Sequence, residues 1–224
     1  MSIAVDEFYG RWTDLYDAIA TAPGIGRWRS SAADALDLSR GDTVVEMGCG
    51  TGANIPYLRQ RVGSKGRVVG IDLTRPLLDR AEMRVERAGW TNVDLIRGDA
   101  SRPPVVQADA ILATFVIGLL PDPAAAVKTW SDIATDRIAL LDAASSHHPL
   151  GQLCNPLFGA CVTAGTPADS VAETVRRLLT PTDDRHRLDT AVRASRNALV
   201  SSTSDRRYET FDLGFVGLMS GSTN

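Results

Sequence analysis

Apolar and polar positions along the chain alternate between two periods. Residues 3–20 carry Phe8, Tyr9, Trp12, Leu15, Tyr16 and Ile19, spaced i, i+1, i+4, i+7, i+8 and i+11. That is the stripe of an amphipathic helix. A second helix is expected over 28–36. Thr43–Met47 is a short apolar run rich in β-branched residues, the pattern of a strand buried on both faces. A helix over 53–62 and a strand over 66–72 follow. Arg75–Ala88 places Leu77, Leu78, Ala81, Val85 and Ala88 on one face and stops at Gly89, a helix C-terminal signal. Strands are expected at 92–97, 108–114 and 137–142, with a helix over 122–133 between the last two. Strands that alternate with helices in this way build a parallel sheet.

After 142 the pattern changes. His147-His148-Pro149 reads as a loop, and 150–161 is mostly apolar. Thr166-Pro167-Ala168-Asp169 is a strong helix start, with Val171, Val175, Leu178 and Leu179 on one face. A further helix is expected over 184–199. The tail, 207–213 and 215–219, reads as two strands turning at Gly214.

The first strand runs into Gly48-Cys49-Gly50-Thr51-Gly52. Glycines let a backbone adopt φ > 0 and approach a ligand closely. Strand, glycine turn and helix form the entry unit of a nucleotide-binding sheet. The spacing is G-x-G-x-G, however, not the G-x-G-x-x-G that seats a pyrophosphate, and no Lys-Ser or Lys-Thr pair follows. Glu46 stands just before the first glycine. A carboxylate there disfavours a phosphate and favours a cation. Cys49 is expected to serve as a small side chain rather than a nucleophile.

The string Glu46-Met47-Gly48-Cys49-Gly50-Thr51-Gly52 resembles motif I, E/D-x-G-x-G-x-G, of the class I S-adenosylmethionine-dependent methyltransferases. The resemblance implies an α/β fold: a doubly wound, mostly parallel seven-stranded sheet with helices on both faces and an antiparallel C-terminal hairpin. A dinucleotide-binding half would instead continue as parallel βα units. It also implies S-adenosylmethionine as cofactor, with Glu46, Gly48, Cys49, Gly50 and Gly52 among its contacts. Asp72, at the tip of the second strand, can accept both ribose hydroxyls, with Leu73 beside it; the plainer alternative is a helix cap, for which Thr74 is better placed. In the family the Asp of G-D-A receives the adenine amino group and its neighbour's backbone touches the ring, which puts Asp99 and Ala100 at the base; a turn aspartate is the alternative. The segment from Tyr9 to Asp17 resembles the Y-D-x-W-x-x-x-Y-D lid of small-molecule methyltransferases, with Tyr16 near the methionine moiety. Thr114 matches motif IV in position but is too weak a polar group for a general base. Phe115 and the residues to Leu120 would form an apolar wall. Phe115, His147 and His148 are the substrate-side candidates, and the two histidines read equally as solvated loop residues. Where the family has a P-G-G turn before the fifth strand, this chain has Thr135-Asp136.

The expected layout is one domain over 1–224: a helical lid (1–38), a cofactor core (39–142), a helical substrate insertion (143–205) and a closing hairpin (206–224). Apolar content of 44% suffices for a real core. A net charge of −3 argues against a nucleic-acid surface. Three cysteines suggest no disulfide framework. The longest apolar run, 110–120, is too short to span a bilayer, and no signal peptide is visible, so a cytoplasmic protein touching membranes at most transiently is expected. No metal site is anticipated. The resemblance implies methyl transfer to a small lipophilic or aromatic acceptor, akin to the quinone-biosynthesis and phospholipid branches. An NAD(P)-dependent oxidoreductase and a non-catalytic S-adenosylmethionine-binding module are the alternatives.

Overall fold

A computed structural model describes residues 17, 24–165 and 184–223. The helix expected over 3–20, apart from Asp17, and the helix after Thr166 lie outside the described residues.

Seven strands form one sheet: β1 (Thr43–Met47), β2 (Arg67–Asp72), β3 (Val93–Arg97), β4 (Ala108–Thr114), β5 (Ala134–Ala143), β6 (Thr203–Phe211) and β7 (Val216–Thr223). Their order is β3-β2-β1-β4-β5-β7-β6. The first five pair in parallel, and β7 joins β5 and β6 antiparallel. The chain therefore leaves β1 toward β2 on one side and later returns to its other side with β4. Such a reversal opens a crevice at the carboxyl ends of the strands.

Successive residues point to opposite faces of a sheet, and the core divides accordingly. Val44, Val68, Ala110, Leu112, Ala139 and Leu141 pack with α1 (Ile25–Asp34) and α2 (Ile55–Val62). Val85 of α3 (Arg75–Ala88) joins the same cluster. Val45, Val69, Ile111, Ile138 and Leu140 pack on the other face with α4 (Pro123–Ile133) and α7 (Asp184–Ser202). Trp130 of α4 is fully buried there and donates its indole N–H to the Ala100 carbonyl at 2.7 Å. Between β5 and α7 in the chain, α5 (Pro149–Gln152) and α6 (Asn155–Gly165) lie in the expected insertion.

Several boundaries and one cap differ from the sequence expectation, among them the following. Helix α2 starts at Ile55 and not at 53, because the turn continues through Asn54. Thr74 holds the N-cap position of α3, but its side chain makes no cap bond; its backbone N–H donates to Asp72 Oδ1 at 2.8 Å. Strand β6 begins at Thr203, four residues earlier than expected, and is buried only at its two ends. An edge strand with so little burial lacks the period-2 signal.

Candidate functional site

The bend after β1 is tied to the tip of β2. The N–H groups of Gly48 and Cys49 both donate to the Ile71 carbonyl, at 2.8 and 3.0 Å. The Gly50 N–H donates to Asp72 Oδ2 at 2.8 Å. All three glycines have positive φ, 70°, 53° and 73°. A Cβ on Gly48 would lie 2.5 Å from Val116 Cγ2, and one on Gly52 would lie 2.7 Å from Ile55 Cδ1. At these two positions it is the protein's own side chains, not ligand space, that a side chain would meet. The Cys49 thiol is buried, packs over Gly70, and is pushed up by burial and by the Glu46 and Asp72 charges. That is the small-residue role expected of it.

Glu46 and Thr114 meet beneath the bend through a residue that sequence reasoning passed over. Asn54 donates to Glu46 Oε1 at 2.5 Å and to Thr114 Oγ1 at 2.8 Å. Its own Oδ1 accepts from Arg29 at 2.8 Å. All four side chains are buried. Burial pushes the Glu46 carboxyl up to about 7, against the Asn54 hydrogen bond and the Arg29 charge. Its Oε2 is buried with no partner among the described residues. An orphaned carboxylate oxygen beside a glycine bend fits a cationic ligand group. An arginine interrupting the apolar face of a predicted helix, and an asparagine just past Gly52, were the available signals for Arg29 and Asn54.

Asp72 is nearly buried, and burial raises its carboxyl while the N–H groups of Thr74 and Gly50 pull it down. Leu73 is exposed beside it, and its carbonyl accepts from Arg97 Nε at 3.0 Å. Asp99 is exposed at the end of β3, where its Oδ1 accepts from both the N–H and the hydroxyl of Ser101 at 2.8 Å. This is turn chemistry, with the carboxylate still facing solvent. Ala100 is buried under it.

The comparisons with known proteins fall on this region. Residues 44–135 match the family model described as "Methyltransferase domain". The chain is 34% identical over 91 residues to a protein-L-isoaspartate O-methyltransferase of Ignicoccus hospitalis, covering 40% of this chain and 43% of that protein. It is 32% identical over 133 residues to a phosphatidylethanolamine N-methyltransferase of Cereibacter sphaeroides, covering 58% of this chain and 62% of that one. The chain thus spans less than two thirds of the length of these relatives. The crystal structure of magnesium protoporphyrin IX methyltransferase from Synechocystis, with bound SAH, superposes with a TM-score of 0.64 at 15% identity, over 98% of each chain. Residues 44–135 are thus a methyltransferase domain, and the chain has the fold of the S-adenosylmethionine-dependent methyltransferases it superposes on.

In the methyltransferase domain the remaining candidates scatter. Phe115, directly after Thr114, has φ +54° and donates its N–H to the Leu141 carbonyl at 2.9 Å. His147 and His148 are exposed in the loop after β5. His148 caps α5, accepting the Leu150 N–H on Nδ1 at 3.3 Å. Neither histidine is bonded to the glycine bend. Tyr16 lies outside the described residues. Its neighbour Asp17 takes Arg84 at 2.7 Å and Arg80 at 3.2 Å, and Arg84 also donates to the Thr51 carbonyl at 3.1 Å. Burial alone would raise the Asp17 carboxyl, but the Thr51 hydroxyl and the Arg80 and Arg84 guanidiniums outweigh it and hold it low. A cleft of about 470 Å³ beside Asp17 runs along Arg80, Met83, Arg84 and Arg87 of α3. None of its lining residues is an expected cofactor contact. Among the described residues no group of three potential ligands could hold a metal ion, and no helix is long and apolar enough to cross a membrane.

Proposed function

We propose that the whole chain moves a methyl group from S-adenosylmethionine to a small, lipophilic or aromatic acceptor. The observation that carries this reading is the glycine bend at the sheet's reversal point, with a buried, half-satisfied carboxylate under it. Asp72 and Asp99 would hold the ribose and the adenine, with Leu73 and Ala100 against the base. Gly48 to Gly52 would take the methionine arm by backbone, with Glu46 and Thr114 acting from below and Tyr16 closing above. When bound, the cofactor supplies a methyl group on a sulfonium, a neutral leaving group. The protein then chiefly aligns the acceptor, and alignment can contribute up to about 7–11 kcal/mol. Phe115, His147 and His148 would face the acceptor.

A lipophilic acceptor is supported by the apolar Phe115 to Leu120 segment and by relatives named for phosphatidylethanolamine and magnesium protoporphyrin IX. The layout of lid (1–38), core (39–142), insertion (143–205) and hairpin (206–224), and a cytoplasmic setting, belong to the same proposal. A thermal-shift screen tests the cofactor. S-adenosylhomocysteine should raise the midpoint by mass action, about 2.7 kcal/mol at one hundred times its Kd, and Asp72→Ala should shrink that rise. A rise with NAD and none with S-adenosylhomocysteine would refute the reading. Incubation with methyl-labelled cofactor and a lipid extract tests the acceptor, with label confined to water-soluble products counting against it.

A further inference from the structure

The two described tryptophans with buried indole N–H groups are treated differently by the fold. Trp130 donates to a carbonyl. Trp28 of α1 does not: its ring is half-buried, its Nε1 is shut from solvent, and among the described residues no acceptor reaches it. A buried indole N–H usually finds a partner, and a stranded donor is unfavourable.

Trp28 cannot simply turn away. The next residue, Arg29, is bonded to Asn54, which is bonded to Thr114 at the end of β4. Helix α1 is thereby pinned to the strand tip. There the Trp28 ring meets Phe115 edge to face, with centroids 6.3 Å apart and planes at 61°. Phe115 is the residue held at positive φ, and Val116 beside it lies against Gly48 of the bend. Backbone strain in a non-glycine residue persists where the surroundings enforce it, and such places cluster at ligand sites. A stranded donor and a strained backbone thus fall on one aromatic pair, next to the bend.

We propose that Trp28 and Phe115 form the acceptor seat, the two rings parting to take a planar aromatic ring whose oxygen then accepts the Trp28 Nε1–H. This rests on the methyl-transfer reading and names the acceptor class for it. The indole N–H then separates an oxygen-bearing ring from a bare hydrocarbon, which apolar walls alone would not do.

The test uses the full chain with ¹⁵N-labelled tryptophan, with and without saturating S-adenosylhomocysteine. It is titrated with 2-naphthol and, separately, with naphthalene, the same shape without oxygen. The Trp28 Nε1–H signal, identified by its loss in Trp28→Phe, should move downfield with 2-naphthol and much less with naphthalene. Trp28→Phe keeps an aromatic ring and should bind 2-naphthol about fivefold more weakly, the loss of one net hydrogen bond, with its affinity for S-adenosylhomocysteine unchanged. Phe115→Leu should weaken both probes alike. An unmoved Trp28 signal, or equal affinity of wild type and Trp28→Phe for 2-naphthol, overturns the proposal. Failure of S-adenosylhomocysteine to bind would instead strike the methyl-transfer reading, because the naphthol titration without it still reports on the seat.

Discussion

The bend after β1 and the loop after β5 both leave the carboxyl end of the sheet, and they are built in opposite ways. Around the bend every polar group is boxed in: Glu46, Asn54, Thr114 and Arg29 are buried and joined by bonds of 2.5 to 2.8 Å. After β5 the chain turns apolar side chains outward, with Leu150, Leu153 and Leu157 exposed at 62%, 79% and 68%. At β5's own end lies Asp142, as buried as Glu46 and also pushed up to about 7 by burial, yet eased only by the Arg196 charge. The contrast teaches where specificity was placed. A buried network with one carboxylate oxygen left over suits a constant ligand, while an open apolar surface suits a partner that has to enter and leave.

The sharpest way to break the comparison is Gly48→Ala. Its Cβ would collide with Val116 while the backbone stays at φ +70°. Overpacking plus a left-handed alanine should cost about 3–4 kcal/mol in urea unfolding, and a loss under 1 kcal/mol would mean that the bend is soft. Asn54→Ala comes next. It strands Glu46 Oε1 and removes the Arg29 bond to Asn54, and about 2–3 kcal/mol should be lost. The same melts on Thr114→Val should show a much smaller loss if Asn54 is the hub.

Asp142→Asn tests the other region and has the opposite sign. The Asp142 carboxyl is raised from 3.8 to about 7 in the fold, so the folded state holds the proton more tightly than the unfolded chain. Its contribution to stability is complete below about pH 4 and is lost as pH rises through 7. The uncharged asparagine loses nothing over that range. The variant should match wild type near pH 4 and exceed it by about 4 kcal/mol above pH 7; parallel pH profiles for the two proteins would refute the assignment. Smallest of all, Leu157→Ser should change stability by under about 0.5 kcal/mol, because an exposed leucine loses little burial. A large loss would mean that the leucine row is covered in solution.

Much of this was legible in the chain. Periodicity alone placed five parallel strands and their helices, because a residue's burial repeats with the element it belongs to. Arg75–Ala88 and Ala108–Thr114 came out with the boundaries they were given. The edge strand β6 was read short, since an exposed strand need not alternate. The network under the bend was not legible. Arg29, Asn54, Glu46 and Thr114 lie far apart in sequence, and nothing local marks an arginine that turns inward.

The sequence by itself determined that a glycine bend with an acid before it follows the first strand, because backbone freedom and local chemistry are written residue by residue. It likewise determined that the sheet closes with a hairpin. Only the tertiary structure decided that two of the glycines are demanded by neighbouring side chains, that Asp99 sits in a turn of its own making, and that Trp28 finds no acceptor among the described residues. Those outcomes depend on which atoms come within a few ångströms once distant strands pair, and no local pattern carries that information.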